Sequence, residues 1–378
     1  MADSIEDEHY IGWNEYALPH DYGNVETEYS AIRNSCAIFD VSPIRKIRVR
    51  GTDAGTFFDL LLTRPVSTLP IMRATYTVFC NDDGSLKDDA ILYKFDDDDY
   101  LLMPSDIDHS PYFESLSEQF ELGDVSFTEC TDSWAGLAVQ GPKSAAVLKT
   151  MGFDGIEQLK PFEVRDYEMA AGTMRISRIG FTADLGYECW FEPGLAGAVA
   201  DAIRTARSAM GIAVPGYGLS ALQACRLEGG FVVAGWDFST EAEPIPGLDR
   251  SPYDVGLGWL VNLEAAHFVG RDALLEQREN GHQFVLRSLV INGDSLPEDG
   301  AELFAGTNDH GSSVGIVTSS NWSWGMNKAI GNASIKSAHA DLEKACVAID
   351  GQRVEVTLGR GPLVTLDRRN QVPAPIDT

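Results

Sequence analysis

The chain of 378 residues is long enough for about two or three compact domains with well-buried cores. Hydrophobic residues make up 44% and charged residues 23%, a composition that is typical of a soluble globular enzyme and excludes a disordered chain. With 57 acidic against 29 basic side chains, the formal charge of −28 repels phosphate backbones and anionic lipid surfaces, so we expect neither nucleic acid nor membrane as a partner.

Motifs for metals, nucleotides and secretion are missing. The six cysteines are scattered singly, without the spacing of a zinc site or a disulfide framework, so no metal is predicted. The seven isolated histidines are expected at the surface or in turns. No dinucleotide, P-loop, zinc-protease or serine-hydrolase motif occurs. The N-terminal segment lacks the features of a secretion signal, and no run approaches the roughly 20 apolar residues of a membrane span, which predicts a cytoplasmic protein.

Strand and helix patterns alternate over residues 1–279. Period-two alternation or short apolar blocks predict strands at 46–51, 75–80, 90–95, 100–103, 136–140 and 173–180. Apolar residues at spacings of three and four predict helices at 53–62, 142–151 and 195–210. This part of the chain is therefore expected to be α+β.

The pattern changes after the short helical stretch at 272–278. Gly, Asn and Asp then separate four short strands, which are predicted at 284–291, 313–319, 329–335 and 347–358. We therefore predict a small all-β domain over residues 280–372, followed by a frayed tail at 373–378.

Two adjacent aspartates stand at the start of the strand after the turn in NDDGSLKDDA, residues 81–90. Because consecutive strand residues face opposite sides, we expect one of Asp88 and Asp89 to point into the core and the other to solvent. An inward carboxylate is costly unless it is paired or takes part in chemistry. The alternative is a pair of solvated aspartates beside a turn.

A single glutamate interrupts an aromatic and apolar strand in SRIGFTADLGYECWF, residues 177–191. Alternation places Glu188 on the same face as Gly186 and Trp190, where a carboxylate could meet a planar ligand beside an aromatic wall. The alternative is a position on an exposed strand face.

An arginine falls on the apolar stripe of the helix that is predicted to start at Leu219. Arg226 follows Leu219 and Leu222 at helical spacing, near the C-terminal end of the helix. Because a buried arginine keeps its proton, it needs an anion. An internal ion pair with Glu228 or another carboxylate and a contact with a ligand are both consistent with this position.

Nine segments, taken in order along the chain, resemble the glycine-cleavage T-protein family of tetrahydrofolate-dependent aminomethyl- and methyltransferases. They are IFDVSP at 38–43, VRGTDA at 49–54, YTVFCNDDGSLKDDAILY at 76–93, LAVQGP at 137–142, SRIGFTADLGYE at 177–188, ALQACRLEGG at 221–230, GLGWLV at 256–261, FVGRDAL at 268–274 and VGIVTSS at 314–320. The resemblance implies a ring of three domains, with two N-terminal α+β folate-binding units and a C-terminal β-barrel.

The same resemblance implies roles for particular residues. Asp89 matches the catalytic aspartate near N5 of tetrahydrofolate, and Glu188 matches the glutamate that binds the pterin ring. Arg226, Tyr76 and Tyr187 are expected to contribute to cofactor binding. A carboxylate can accept the two adjacent N–H donors of a pterin as a fork, and a second carboxylate beside N5 can stabilise positive charge that develops there.

Departures from the family pattern concern the one-carbon donor. Pro43 replaces the histidine of the FDVSH block, and Leu222 and Gln223 replace an Arg-Asp pair. The segments 44–46 and 251–259 are more similar to the demethylase-type branch, which includes dimethylsulfoniopropionate demethylase. We therefore predict transfer of a methyl group from a small methylated molecule to tetrahydrofolate.

An onium osmolyte is the first candidate donor and a methoxyaromatic the second. Trp236, Trp322 and Trp324 are candidate walls of the donor pocket, since aromatic faces attract onium methyl groups. The alternative is an aminomethyltransferase that works with a lipoyl carrier protein, releases ammonia and forms 5,10-methylene-tetrahydrofolate. A non-catalytic folate-binding regulator is disfavoured, because it would be expected to lack Asp89.

Overall fold

The computed structural model describes residues 10–306 and 312–373. In chain order, the strands before the barrel are β1 (Tyr10–Trp13), β2 (Tyr16–Pro19), β3 (Ala37–Asp40), β4 (Ile47–Arg50), β5 (Arg73–Cys80), β6 (Leu86–Asp96), β7 (Asp99–Pro104), β8 (Ser126–Glu129), β9 (Ala135–Gln140), β10 (Val164–Met169), β11 (Gly172–Ser177) and β12 (Gly186–Phe191). The helices are α1 (Val25–Asn34), α2 (Ala54–Leu61), α3 (Ser110–Gln119), α4 (Ser144–Thr150), α5 (Ala196–Met210), α6 (Leu219–Glu228) and α7 (Arg271–Asn280).

Two five-stranded antiparallel sheets form the first part of the chain, with strand orders β5-β6-β7-β4-β8 and β10-β11-β12-β9-β3. Helices α2 and α3 cover the outer face of the first sheet, and α4 and α5 cover the outer face of the second. The inner faces share one apolar core with α1 and α6. Each sheet is therefore covered on both faces, and successive strand residues lie in two different cores.

A closed barrel of six strands follows, with the order β13-β16-β15-β14-β17-β18. Its strands are β13 (Phe284–Ile291), β14 (Glu302–Phe304), β15 (Ser313–Ser323), β16 (Lys328–Lys336), β17 (Lys344–Ile349) and β18 (Gln352–Gly359). The predicted α+β region with a C-terminal β-barrel is confirmed.

The predicted single strand at 347–358 is wrong. The chain reverses there between β17 and β18, because Asp350 and Gly351 adopt positive φ angles of 49° and 74°. An Asp-Gly pair with two positive φ angles makes the two-residue turn whose twist matches a β-hairpin. This Asp-Gly dipeptide could have been used to predict the hairpin from the sequence.

The segment after the barrel returns to the first part of the molecule. The backbone N–H groups of Leu363 and Val364 donate to the carbonyl of Glu228 at 2.9 and 2.8 Å. Arg368 then pairs with Asp184 at 2.6 Å. Of the predicted tail at 373–378, residues 374–378 lie outside the described residues. No helix within 10–306 and 312–373 combines the length and apolar character that a bilayer crossing requires.

Candidate active site between the two sheets

Asp89 lies half-buried on the inner face of β6. The Tyr76 hydroxyl, on the neighbouring strand β5, donates a hydrogen bond to Asp89 Oδ2 at 2.6 Å. Burial, reinforced by the adjacent charge of Asp88, raises the pKa of Asp89 to about 7. This carboxyl group can therefore gain or lose a proton near neutral pH, as acid–base and electrostatic catalysis require.

Asp88 is fully buried on the opposite face of the same strand. Its Oδ2 accepts a hydrogen bond from Ser105 Oγ at 2.8 Å and lies 2.9 Å from His109 Nε2, while Oδ1 accepts the backbone N–H of Asp89. The expectation that one aspartate faces solvent is wrong, because α3 covers this face. The expected surface position of His109 is also wrong, since its ring is 1% exposed. The cluster holds the backbone at Asp89 in place.

Glu188 lies on the inner face of β12 with only 9% of its surface exposed, which excludes the alternative of an exposed strand position. The Tyr93 hydroxyl donates to Glu188 Oε2 at 3.4 Å and lies 3.2 Å from Ser177 Oγ. Burial raises the pKa of Glu188 to about 7, although the Tyr93 hydrogen bond and the charge of Lys46 oppose the shift. A ligand that offers further N–H donors would favour the ionised carboxylate.

Tyr93 lies on the same strand face as Asp89 and contacts Glu188 across the inner core. Asp89, Ile91 and Tyr93 alternate along β6 and so share its inner face. Four residues of strand separate Asp89 from Tyr93, or roughly 13 Å at about 3.3 Å per residue. Glu188 meets Tyr93 at the far end of this row. Asp89 and Glu188 therefore lie toward opposite ends of this row.

An unused donor lies beside Glu188. The indole Nε1 of Trp190 is buried and close enough to the Tyr93 hydroxyl to influence its pKa, but it does not reach hydrogen-bond geometry with any acceptor among the described residues. The ammonium of Lys46 lies 4.9 Å from the Trp190 ring and donates to the carbonyls of Ser42 and Ile44. A polar ligand could satisfy the indole that the protein leaves unpaired.

Gln140 holds the loop that leads into β12. Its amide accepts the Thr182 hydroxyl at 2.7 Å and donates to the carbonyls of Ile179 and Tyr187. A Cβ at either Gly180 or Gly186 would lie 2.2 Å from Gln140 Oε1. Both glycines are therefore required by the close approach of this side chain rather than by loop flexibility.

Gly180→Ala is expected to lower the free energy of unfolding by about 1–3 kcal/mol, because the added methyl must displace the buried Gln140 amide. Gly197→Ala is the matched control: this helical glycine has no atom within 4 Å of the added Cβ, so a gain of about 0.5–1 kcal/mol is expected. Urea unfolding of both variants measures the difference. Equal stability of the two would contradict this role of Gln140.

Arg226 is fully buried and belongs to an internal ion pair. Its Nη1 donates to Asp237 Oδ2 at 2.8 Å and to the carbonyl of Phe231, and its Nη2 donates to Ser319 Oγ at 2.8 Å. The partner is Asp237 rather than Glu228, which accepts hydrogen bonds from Tyr29 and Arg33 instead. Arg226 thus joins α6 to the barrel, and its contribution to ligand binding stays a prediction.

The other candidate aromatic residues are spread over different parts of the fold. Tyr187 points into the outer core, opposite to Glu188, and its hydroxyl contacts the carbonyl of Ile156. Trp322 packs against the barrel core, and Trp324 packs on Tyr29 with ring centroids 5.4 Å apart. Trp236 lies over Arg226 and is 38% exposed. The structure does not bring Trp236, Trp322 and Trp324 together as the walls of one pocket.

A different tryptophan lies near Asp89. Trp259 is 65% exposed, and its ring centroid lies 6.5 Å from that of Tyr76, the hydrogen-bond partner of Asp89. The guanidinium of Arg64 lies 5.7 Å from the same indole. Neither residue was singled out from the sequence. Within the described part of the chain, no group of three or more His, Cys, Asp or Glu side chains is arranged to hold a metal ion.

Family models match nearly the whole chain. The model of the GCVT N-terminal domain matches residues 9–265, and that of the glycine cleavage T-protein C-terminal barrel domain matches residues 285–364. A crystal structure of the glycine cleavage system aminomethyltransferase T from Bartonella henselae has the same fold. It superposes with a TM-score of 0.82 at 23% identity and covers 97% of this chain and 95% of its own.

Several similar sequences are named aminomethyltransferases or probable aminomethyltransferases. The aminomethyltransferase of Caldanaerobacter subterraneus is 30% identical over 94% of this chain and 88% of its own length. That of Thermotoga maritima is 30% identical over 96% of this chain and 95% of its own length. The probable aminomethyltransferase of Halobacterium salinarum is 31% identical over 93% of both chains.

Proposed function

Because the chain belongs to the glycine cleavage T-protein family, we propose that it is an aminomethyltransferase, which passes the carbon of an aminomethyl group to tetrahydrofolate and releases ammonia. The family assignment makes the protein a tetrahydrofolate-dependent one-carbon transferase. The finer assignment is supported by relatives of nearly the same length that are named aminomethyltransferases. These relatives favour the aminomethyl alternative over the methyl transfer that the sequence departures suggested.

The observation that carries the proposal is the pair of carboxyl groups of half-buried Asp89 and buried Glu188, which lie toward opposite ends of the row of side chains on β6. Glu188, with its pKa raised to about 7 by burial, can accept the adjacent N–H donors of a pterin and thereby become the ionised form. The unpaired Trp190 indole next to it can donate to a pterin acceptor. These residues fit the polar edge of tetrahydrofolate and leave Asp89 at the other end of the row.

Asp89 is then the group beside the reacting nitrogen. As the carbon bonds to N5 and N10 of tetrahydrofolate, the donor's C–N and C–S bonds break, and ammonia and a lipoyl thiol leave with the two N–H protons. The Asp89 carboxylate can stabilise the positive charge that develops on N5 and accept its proton. Tyr76 keeps the carboxylate oriented through its 2.6 Å hydrogen bond.

Tetrahydrofolate affinity is expected to rise with pH through about 7. The ionised Glu188 binds the pterin donors, so at lower pH binding must also remove a proton from the carboxyl group, at a cost of about tenfold in affinity per pH unit. Titration calorimetry from pH 5.5 to 8.5 measures this slope. The slope should be absent in Glu188→Gln, and its persistence in that variant would assign the titration to another group.

The proposal is tested by ammonia release from an aminomethylated lipoyl carrier protein. With tetrahydrofolate present, one ammonia per transferred carbon is expected at a rate well above that without tetrahydrofolate. Asp201→Asn, on the exposed surface of α5, is the matched control for Asp89→Asn and should not alter the rate of ammonia release. Ammonia release that is independent of tetrahydrofolate would contradict the proposal.

Methyl transfer is the second candidate, and specific residues favour it. Pro43 accepts a hydrogen bond from Asn14 through its carbonyl and has no side-chain donor to offer. Leu222 and Gln223 stand where the family has an Arg-Asp pair, and the Gln223 amide accepts from Arg226 instead. Under this candidate a small methylated molecule is the donor, no lipoyl carrier is needed and the product is 5-methyl-tetrahydrofolate.

A further inference from the structure

Arg64 lies near the end of α2, against the strand that carries Tyr76. Its Nη2 donates to the Thr75 hydroxyl and to the backbone carbonyl of Tyr76 at 2.8 Å. The exposed ring of Trp259 lies beside the guanidinium. Since the Tyr76 hydroxyl binds Asp89, one residue connects this arginine to the proposed catalytic carboxylate.

This guanidinium is half-buried but has no acidic partner. Among the described residues, no carboxylate oxygen lies within 4.0 Å of Arg64, whereas Arg48 pairs with Asp99 and Arg226 pairs with Asp237. The N–H groups on Nε and Nη1 of Arg64 have no hydrogen-bond partner in the described chain. These nitrogens are not fully buried, so a ligand can reach them. Burial lowers the pKa of Arg64, but an arginine stays protonated in proteins.

We propose that Arg64 and Trp259 form a subsite for a carboxylate group of a substrate, beside Tyr76, the hydrogen-bond partner of Asp89. Free guanidinium donors on two nitrogens bind a carboxylate by charge-assisted hydrogen bonds. The indole face can pack on the carbon chain that bears the carboxylate. The formal charge of −28 repels anions at long range, so the unpaired and accessible guanidinium is the local positive charge that would hold a carboxylate here.

The subsite rests on the proposed function, because its ligand is a substrate of the same reaction. Two molecules can supply the carboxylate: the glutamyl tail of tetrahydrofolate, which both candidate reactions use, and a small acid that donates the carbon in methyl transfer. Both present the same group to Arg64. They are distinguished by probes that either keep or lack the carboxylate.

The test measures binding by titration calorimetry, which needs no turnover. The first pair of probes is tetrahydrofolate and tetrahydropteroyl amide, in which an uncharged carboxamide replaces the glutamyl tail. The second pair is trimethylglycine and choline, which share the onium group and differ in the carboxylate. The variants are Arg64→Gln, Arg64→Lys and, as a control, Arg204→Gln on the exposed surface of α5.

If the tail is the ligand, Arg64→Gln should weaken tetrahydrofolate binding about tenfold and leave the binding of tetrahydropteroyl amide unchanged. If a small acid is the ligand, wild type should prefer trimethylglycine over choline, and Arg64→Gln should abolish that preference. Arg64→Lys should retain part of either effect, because it keeps the charge and loses the planar donors. Arg204→Gln should match wild type.

The subsite would be overturned if, for each of the four probes, wild type and Arg64→Gln bound that probe with the same affinity. Should Arg64→Gln fail to fold, Trp259→Ala tests the same claim, because the exposed indole is not needed for the core; an unchanged affinity for every probe would again overturn it. If instead the proposed function is wrong, no aminomethyl transfer will be observed, but these differences in binding will remain.

Discussion

Replacing Asp89 with asparagine is expected to lower turnover by at least about a hundredfold, the usual scale for loss of a positioned proton-handling or electrostatic group. The amide cannot accept a proton or stabilise positive charge on N5. Tetrahydrofolate affinity should be nearly unchanged, because the pterin contacts lie with Glu188 at the other end of the row. Single-turnover kinetics together with calorimetry separate the two effects.

Asp88→Asn is the neighbouring comparison and should act mainly on stability. The amide would place a donor where the carboxylate now accepts from Ser105 and the backbone of Asp89, and it would weaken the contact with His109. A loss of about 1–3 kcal/mol in unfolding free energy is expected, with a much smaller loss of turnover than in Asp89→Asn. If Asp89→Asn retained most of the wild-type turnover, Asp89 would have no catalytic role.

Glu188→Gln is expected to weaken tetrahydrofolate binding by about 1.5–3 kcal/mol, because a charged fork becomes an amide with one mismatched donor. The same variant should be more stable than the wild type in the absence of ligand at pH 8. Burial of an ionised carboxylate opposes folding, and an uncharged amide of the same shape removes that cost. Binding and stability should therefore change in opposite directions.

The pH dependence of that stability has a definite sign. The pKa of Glu188 is raised from 4.5 to about 7 in the folded protein, so the folded state holds a proton that the unfolded state releases between these values. The stability contribution is complete below about pH 4.5 and is lost as the pH rises to about 7. The variant should thus exceed wild type by on the order of 1–3 kcal/mol at pH 8.

Urea unfolding at pH 8 and near pH 4.5 measures this difference. The two proteins should be closely matched at the lower pH and diverge at the higher one. A variant that is less stable than wild type at pH 8 and binds tetrahydrofolate normally would show that Glu188 is a structural residue.

The fold could be predicted from the sequence where local patterns agree with the tertiary environment. Strand alternation placed Glu188 on the face that it shares with Gly186 and Trp190 but left open whether that face is exposed, and the structure shows that Glu188 is buried. The expectation that one of Asp88 and Asp89 faces solvent was wrong, because a period of two cannot distinguish a solvent-exposed face from one that packs in a second core. The presence of α3 over that face decides the question, and it depends on tertiary packing.

Contacts between residues that are distant in the chain could not be predicted from the sequence. Tyr93 lies four residues after Asp89 on the same strand face, so the alternation rule could have identified it as part of the site. The pairs Arg226–Asp237 and Tyr76–Trp259 depend on how α6, the barrel and the loop at 256–261 pack together. Their spacing in sequence carries no periodic pattern, and only the folded arrangement brings them into contact.

The most direct test of aminomethyl transfer at the Asp89–Glu188 site is the identity of the folate product. Tetrahydrofolate is incubated with the enzyme and either aminomethylated lipoyl protein or a panel of methylated sulfonium, ammonium and methoxyaromatic compounds, and the folates are separated by mass spectrometry. We expect 5,10-methylene-tetrahydrofolate from the lipoyl donor alone, and loss of that product in Asp89→Asn. Formation of 5-methyl-tetrahydrofolate from a small methyl donor, with no product from the lipoyl donor, would contradict it and establish a demethylase.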